Sequence, residues 1–345
     1  MYTNLNIDVI SQIINYCSIK DLIRLRTTNK ENVEIVKYYN GYSMVKIKGP
    51  LKYWKKSFPN MKAANINRRT DINNEDFQYL DNAEIVSMIL CKQQSITCDT
   101  FKYLINIKDL DLQGCCGHWY GGHHFTNKMF DYLLNLEKFY IDDNHIITDN
   151  GIKKLKKIKD LTIHNCSNIT NEGISGLTTL IRLDLYNIQI TDDVFKDLTN
   201  LRELNITFGH HITDKGILYL SNIQKLTFMS CKEIRCNNFD RLQKLYNLSL
   251  CHMTIFNNDF IFLKKIKSLS LYGGNIDGSG LKYLSNIEML SIYENPIVDE
   301  YFNDLFEFKN IKQINIFRCR TVSKNKKEEL KIRFEDKFNT DTLSY

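Results

Sequence analysis

The chain has 345 residues, 43% of them hydrophobic and 25% charged, with a net charge of +6; this is ordinary globular composition, and it excludes a low-hydrophobicity disordered chain and a strongly basic nucleic-acid arm. No apolar run approaches the ~20 residues of a membrane span, and the first eight residues lack the basic-then-apolar pattern of a secretory signal. Ten cysteines without such a signal predict reduced thiols and a cytoplasmic, intracellular setting.

Residues 1–40 do not share the period of the rest of the chain. Ile10, Ile13, Ile14 and Cys17 suit one face of a helix, and Ser18 or Asp21 can begin a second helix carrying Leu22 and Leu25. The opening Leu5, the Ile-rich stretch Ile10 to Ile14, the step Lys20-Asp21-Leu22 and the run Arg24-Leu25-Arg26 together resemble an F-box. Asn6 stands where that family usually has Pro, and no Trp occurs near Asn32. The resemblance implies docking onto a Skp-family adaptor of a cullin–RING ubiquitin ligase. Leu5, Ile7, Ile10, Ile13, Ile14, Leu22 and Leu25 would share adaptor contacts and internal packing. The competing reading is a helical cap over the open end of the first repeat; only an F-box would leave an exposed apolar patch.

From about residue 60 an apolar-x-x-apolar-x-apolar unit recurs. It starts with Met61/Ala64/Ile66 and Ile85/Met88/Leu90, then Ile107/Leu110/Leu112, Leu136/Phe139/Ile141 and Ile158/Leu161/Ile163. It continues through Leu180/Leu183/Leu185, Leu201/Leu204/Ile206, Ile223/Leu226/Phe228 and Leu245/Leu248/Leu250 to Ile266/Leu269/Leu271, Ile287/Leu290/Ile292 and Ile311/Ile314/Ile316. Most anchors lie 21 or 22 residues apart; the spacing is 24 at each end and 29 between Ile107 and Leu136. Each apolar triplet predicts a strand. Segments such as Ile169-Thr170-Asn171-Glu-Gly-Ile174-Ser-Gly-Leu177 then predict a short helix capped by Thr, Asp or Asn, with an inward-facing apolar pair. About five large apolar side chains per unit, each contributing ~1.5–3 kcal/mol on full burial, find cover only in the neighbouring units.

This pattern resembles the leucine-rich-repeat family, loosely its cysteine-containing subclass. The implied fold is α/β: a curved solenoid with a parallel sheet on the concave side and short helices on the convex side, behind a small all-α F-box-like cap. The expected organisation is an F-box-like segment at 1–40, about 12 repeats of ~22 residues over 41–322 with an insertion at 114–125, and a C-terminal helical cap or tail at 323–345. In that tail Ser323 caps a charged helix with Leu330, Phe334 and Phe338 on one side.

Cys115, Cys166, Cys231 and Cys319, with Asn144 and Asn295, fall eight residues after an anchor. In this repeat family that slot lies inside the turn and bonds the neighbouring turn, which makes these cysteines structural. A zinc site in Cys115-Cys116-Gly-His118-Trp-Tyr-Gly-Gly-His123-His124 lacks the second ligand pair that tetrahedral sites usually show, so no metal and no cofactor is expected. No nucleophile elbow, phosphate loop or metalloprotease helix occurs, and the chain reads as non-enzymatic.

Alternation sends the third, fifth and seventh positions of each strand unit to solvent on the inner curve. Asp142, His164, Tyr186, Met229, Tyr272, Tyr293 and Phe317 occupy seventh positions; Met and aromatics are enriched where proteins bind proteins. Stacking along the strand ladder is the bland alternative. The expected function is a substrate receptor of a Skp–cullin–F-box ubiquitin ligase that holds an unidentified protein target on the concave face. A stand-alone interaction scaffold or inhibitor is the alternative. Neither membrane nor nucleic acid is an expected partner, since the row is not basic.

Overall fold

The structure is a computed structural model, and it describes residues 21, 22, 24, 46–89, 96–115 and 125–340. The chain divides into two units, Met1–Ile169 and Thr170–Tyr345. Each is built on the same repeat: a strand, a turn, a short helical segment and a return.

In the first unit the strands are β1 (Ala63–Asn65), β2 (Ile85–Ser87), β3 (Asp109–Asp111), β4 (Lys138–Asp142) and β5 (Asp160–His164). They pair in parallel and in chain order. A bridge from Lys46 to Asn65 and a helix at Leu51–Ser57, which buries Leu51, flank the first strand. In the second unit the strands are β6 (Arg182–Tyr186), β7 (Glu203–Thr207), β8 (Lys225–Met229), β9 (Asn247–Cys251), β10 (Ser268–Tyr272), β11 (Met289–Tyr293), β12 (Gln313–Phe317) and β13 (Phe338–Thr340). These also pair in parallel and in order, so Leu183, Leu204, Leu226, Leu248, Leu269, Leu290 and Ile314 stand side by side in one row. This is the leucine-rich-repeat solenoid that the periodic leucines and isoleucines predict.

The register differs from expectation at one repeat. Ala63 pairs with Ile85 and Val86 with Leu110, so the second repeat's apolar set is Ala83/Val86/Met88, all buried, in place of the expected frame opened by Ile85; Leu90 of that frame lies outside the described residues. The two frames share Met88, and a large Ile85 attracts the eye more than a small Ala83; a steady 22-residue step from Met61 favours Ala83. The helical segments are also shorter than the capped helices expected. The α-helices at Asp149–Ile152, Asn171–Ile174 and Asp214–Ile217 have four residues each, and most other repeats use a 3-10 turn. A ~22-residue unit leaves room for about one turn, and the tighter 3-10 winding makes a short connector.

An inner pair three residues apart still faces the strands from each segment. Phe101/Leu104, Phe195/Leu198, Phe260/Leu263 and Phe302/Leu305 are buried to within 1% of full. Between repeats, side chains at the helix starts link one unit to the next. Thr148 and Thr191 receive amide hydrogen bonds at their hydroxyls from Asn127 (2.8 Å) and Asn171 (2.6 Å) of the preceding repeat. Asp192 accepts the Thr213 amide and hydroxyl at 2.8 and 2.7 Å. Asp214 accepts three successive N–H groups of the next repeat, from Arg235, Cys236 and Asn237, at 2.8–3.0 Å.

Two further ladders pin the register. Where the chain approaches the strands, charges alternate: Glu84 lies 3.0 Å from Lys62 and 2.7 Å from Lys108, and Glu288 lies 3.0 Å from Lys267 and 2.5 Å from Lys312. Where the chain leaves them, one residue in most repeats turns left-handed: Arg68, Gly114, Asp143 and Asn165 in the first unit, then Asn187, Phe208, Ser230, His252, Gly273, Glu294 and Arg318, all with φ between 47° and 68°. In that conformation the amide donates to the next strand's last carbonyl, as in Phe208 to Met229 (2.9 Å), His252 to Tyr272 (2.7 Å) and Glu294 to Phe317 (3.1 Å).

At the C-terminal end Ser323 caps the helix Lys324–Phe334, its hydroxyl accepting the Lys326 amide. Leu330 and Phe334 are buried on it. Phe338, expected on the same helix, instead opens β13, pairs with Ile314 and covers the row of buried leucines and isoleucines.

Candidate partner-binding faces

The slot eight residues after each anchor is spent on the fold. Cys231 donates to the Ile206 carbonyl of the preceding repeat at 3.4 Å and Cys319 to that of Ile292 at 3.7 Å. Asn295 donates to the Leu271 and Tyr293 carbonyls, and Asn144 to that of Phe125. Cys115 donates to the Met88 carbonyl. Burial pushes the Cys166 thiol up to about 12, so it carries no thiolate at neutral pH. The other residues of the Cys115–His124 stretch lie outside the described residues. Among the described residues, no three His, Cys, Asp or Glu side chains come together as a metal-binding group would.

On the strand face of the first unit, β4 and β5 carry Asp142 and His164 side by side. Asp142 accepts the Gly114 amide at 2.7 Å. Burial raises its pKa, against the pull of that hydrogen bond. His164 Nδ1 shares a hydrogen bond with the Tyr140 hydroxyl at 3.1 Å, and the two rings meet edge-on at 5.2 Å. Asp111 on β3 is likewise raised by burial. This face is acidic and its polar groups hold one another.

The face of the second unit is aromatic. Tyr186 meets Phe208 edge-on at 5.4 Å. Met229 is 37% exposed and Tyr272 36% exposed, large values for apolar side chains on a sheet. Parallel register then brings three rings into one stack: Tyr272 on Tyr293 at 5.4 Å and Tyr293 on Phe317 at 5.1 Å, with interplanar angles of 25° and 18°. His252 closes the other end, edge-on to Tyr272 at 5.5 Å. The floor beneath is neutral, from Ser268, Ser270, Ser291, Gln313 and Asn315; Asn315 donates to Ser291 at 2.9 Å.

Strand alternation places Tyr140, a fifth position of its unit, but does not find Phe208 or His252. Phe208 and His252 occupy the left-handed turn just beyond the strand, where alternation no longer applies. Their phase marks them: each stands seven residues after an anchor, where Gly114, Asp143, Asn165, Asn187 and Gly273 make the same turn.

Of the residues expected to touch an adaptor, Leu22 is fully buried, which places it in internal packing. Leu5, Ile7, Ile10, Ile13, Ile14 and Leu25 lie outside the described residues. Among the described residues, no helix is long and apolar enough to cross a membrane.

Comparison with solved structures places this fold among leucine-rich-repeat proteins. An internalin from Listeria monocytogenes superposes with a TM-score of 0.61 at 17% identity, covering 98% of this chain and 95% of that one. A leucine-rich-repeat protein of Leptospira interrogans gives 0.51 at 15%, covering 98% of each chain. TLR13, in complex with ssRNA13, gives 0.57 at 16% over 90% of this chain and 52% of that one. At these identities the likeness concerns the fold. No curated protein matches the sequence. The class is therefore a leucine-rich-repeat solenoid of parallel strands and short helices. Residues 3–40 match the model of the F-box domain. The chain thus joins a segment similar to the F-box domain to a leucine-rich-repeat fold, and both are of kinds that typically carry no enzymatic activity.

Proposed function

We propose that the protein is a substrate receptor of a Skp–cullin–F-box ubiquitin ligase. Residues 3–40 dock a Skp-family adaptor, and the strand face of the repeats holds a protein target while a partnered enzyme delivers ubiquitin. The observation that carries this reading is the match of residues 3–40 to the F-box domain on a chain whose remainder is a repeat scaffold. The protein itself transfers nothing; its chemistry is adhesion. Leu5, Ile7, Ile10, Ile13, Ile14 and Leu25 are the proposed adaptor contacts, with Leu22 supporting them from within. Asp142, His164, Tyr186, Met229, Tyr272, Tyr293 and Phe317 are the proposed target contacts.

The test is co-expression of the full chain with a Skp-family adaptor, followed by size-exclusion chromatography. A stoichiometric complex is expected. Ile10→Asp should abolish it, while thermal unfolding of the repeats stays where it was. If the wild-type chain elutes without adaptor, the ligase role is wrong and a stand-alone scaffold or inhibitor is left.

A further inference from the structure

At the end of the aromatic stack the surface changes from neutral to charged. Strands β9 to β12 present Asn, Ser, Cys, Tyr, Met, Gln and Phe on their open face and no ionisable acid or base other than the tyrosines and Cys251. Just beyond Tyr293 and Phe317, a cleft of about 700 Å³ is lined by Glu294, Asn295, Pro296, Arg318, Arg320 and Thr321. Most of its polar groups are occupied. Asn295 serves backbone carbonyls, Thr321 donates to the Ile297 carbonyl at 2.7 Å, and Arg318 pairs with Glu294 at 2.9 Å. Arg320 is exposed and pairs with no acid among the described residues. Two guanidinium groups thus face one carboxylate, and the cleft carries a net positive charge.

The rings restrict what lies beside this charge. Tyr272, Tyr293 and Phe317 already stack on one another at 5.1–5.4 Å, so a nucleic-acid base or a sugar cannot slide between them. What they offer is a row of ring edges, suited to aliphatic or aromatic side chains. A guanidinium fork beside such a row suits a carboxylate, which it binds in a two-pronged, charge-assisted way.

We propose that this end of the second unit's strand face binds an extended acidic peptide segment. An apolar side chain would lie on the Tyr293–Phe317 edges, and a carboxylate within about two residues of it, at the ~3.3 Å rise of an extended chain, would sit in the Arg318–Arg320 cleft. The carboxylate belongs to an Asp or Glu side chain or to a free C-terminus. This deepens the receptor reading, on which it rests, by stating the chemistry of the target.

The experiment is selection of a random short-peptide library on the full chain, with a Skp-family adaptor present and without it, in two display formats, internal and with a free C-terminus. Enrichment of Asp or Glu beside an apolar residue in both formats is expected for a side-chain carboxylate; enrichment confined to the second format identifies a terminal one. Selected peptides should bind Arg320→Glu at least about tenfold more weakly, since the reversal removes a charged hydrogen bond and sets a carboxylate against the peptide's own. Tyr293→Ala should erase the apolar preference. Arg320 is exposed, so neither folding nor the adaptor complex should change on its substitution. Peptides without acidic enrichment, peptides indifferent to Arg320→Glu, or no selected peptides at all would overturn the proposal. A chain that binds its adaptor but shows no acidic preference refutes this inference alone. Acidic peptides enriched on a chain that fails to bind any adaptor refute the ligase reading alone.

Discussion

Glu84 illustrates how single residues tie neighbouring repeats. Hydrogen bonds from Lys108 and Lys62 hold its carboxyl at about 2, below the ordinary 4.5. A folded-state pKa below the unfolded one means that the ionised form stabilises the fold. That contribution is complete above pH 4.5 and is lost as pH falls toward 2. Glu84→Gln should therefore flatten the acid limb of a urea-midpoint-versus-pH curve over that window; above about pH 5 it should cost less than about 1 kcal/mol. Asp142 has the opposite sign. Burial raises its pKa, so its ionised form is disfavoured in the folded state, and Asp142→Asn should not destabilise the protein at neutral pH. Cys166, pushed up to about 12 by burial, should resist a maleimide in the native protein and react on unfolding; labelling at the native rate of an exposed thiol would contradict its place in the turn. At Gly216, a Cβ would press on the Asp192 carboxylate and lie 2.9 Å from its Cα. Gly216→Ala should thus push away the side chain that caps Thr213 and lower stability, an effect readable by thermal melting.

The unit of stability is the repeat and its two neighbours. Leu226 pairs with Leu204 on one side and Leu248 on the other and is fully buried. Leu226→Ala should cost ~2–5 kcal/mol, and hydrogen exchange should show the loosening centred on β7 to β9, because each repeat touches only its neighbours. At this scale the sequence is most legible. The strand triplets and inner helical pairs are large, apolar and periodic, and the structure has them where the period puts them. Three features are harder to read. Ala83 is easily passed over beside Ile85 when size, rather than phase, guides the frame. The 3-10 turns escape notice because Thr caps look the same whichever winding comes after them. Phe338 fits the helical period of Leu330 and Phe334, and only the open edge of β12, a tertiary feature, draws it into a strand.

For the whole molecule, the array needs its ends covered, since the row that each repeat shares with the next would otherwise meet water. Phe338 does this at one end, and Phe338→Asp should destabilise the last repeats first, with the Tyr293–Phe317 stack the earliest to lose order in near-ultraviolet circular dichroism. Of the proposed binding faces, strand alternation locates the seventh-position residues, because a period of two is a local rule. It cannot foresee that Tyr272, Tyr293 and Phe317 stack, which requires neighbouring strands paired in register although their repeats differ in length, nor that Phe208 and His252 join from the turns.

Those turns sort the repeats by what they are made of. Asn, Asp and Gly adopt φ near about +50° readily, but other L-residues give up roughly 1–2 kcal/mol there. Arg68 in the first unit holds that conformation, as do Phe208, Ser230, His252, Glu294 and Arg318 in the second, where the aromatic and charged surface lies. A sequence selected for folding alone would favour asparagine at each. Restoring it, for example with His252→Asn, should yield a sturdier molecule, and the ligand it then fails to retain would reveal why nature tolerated the awkward residue.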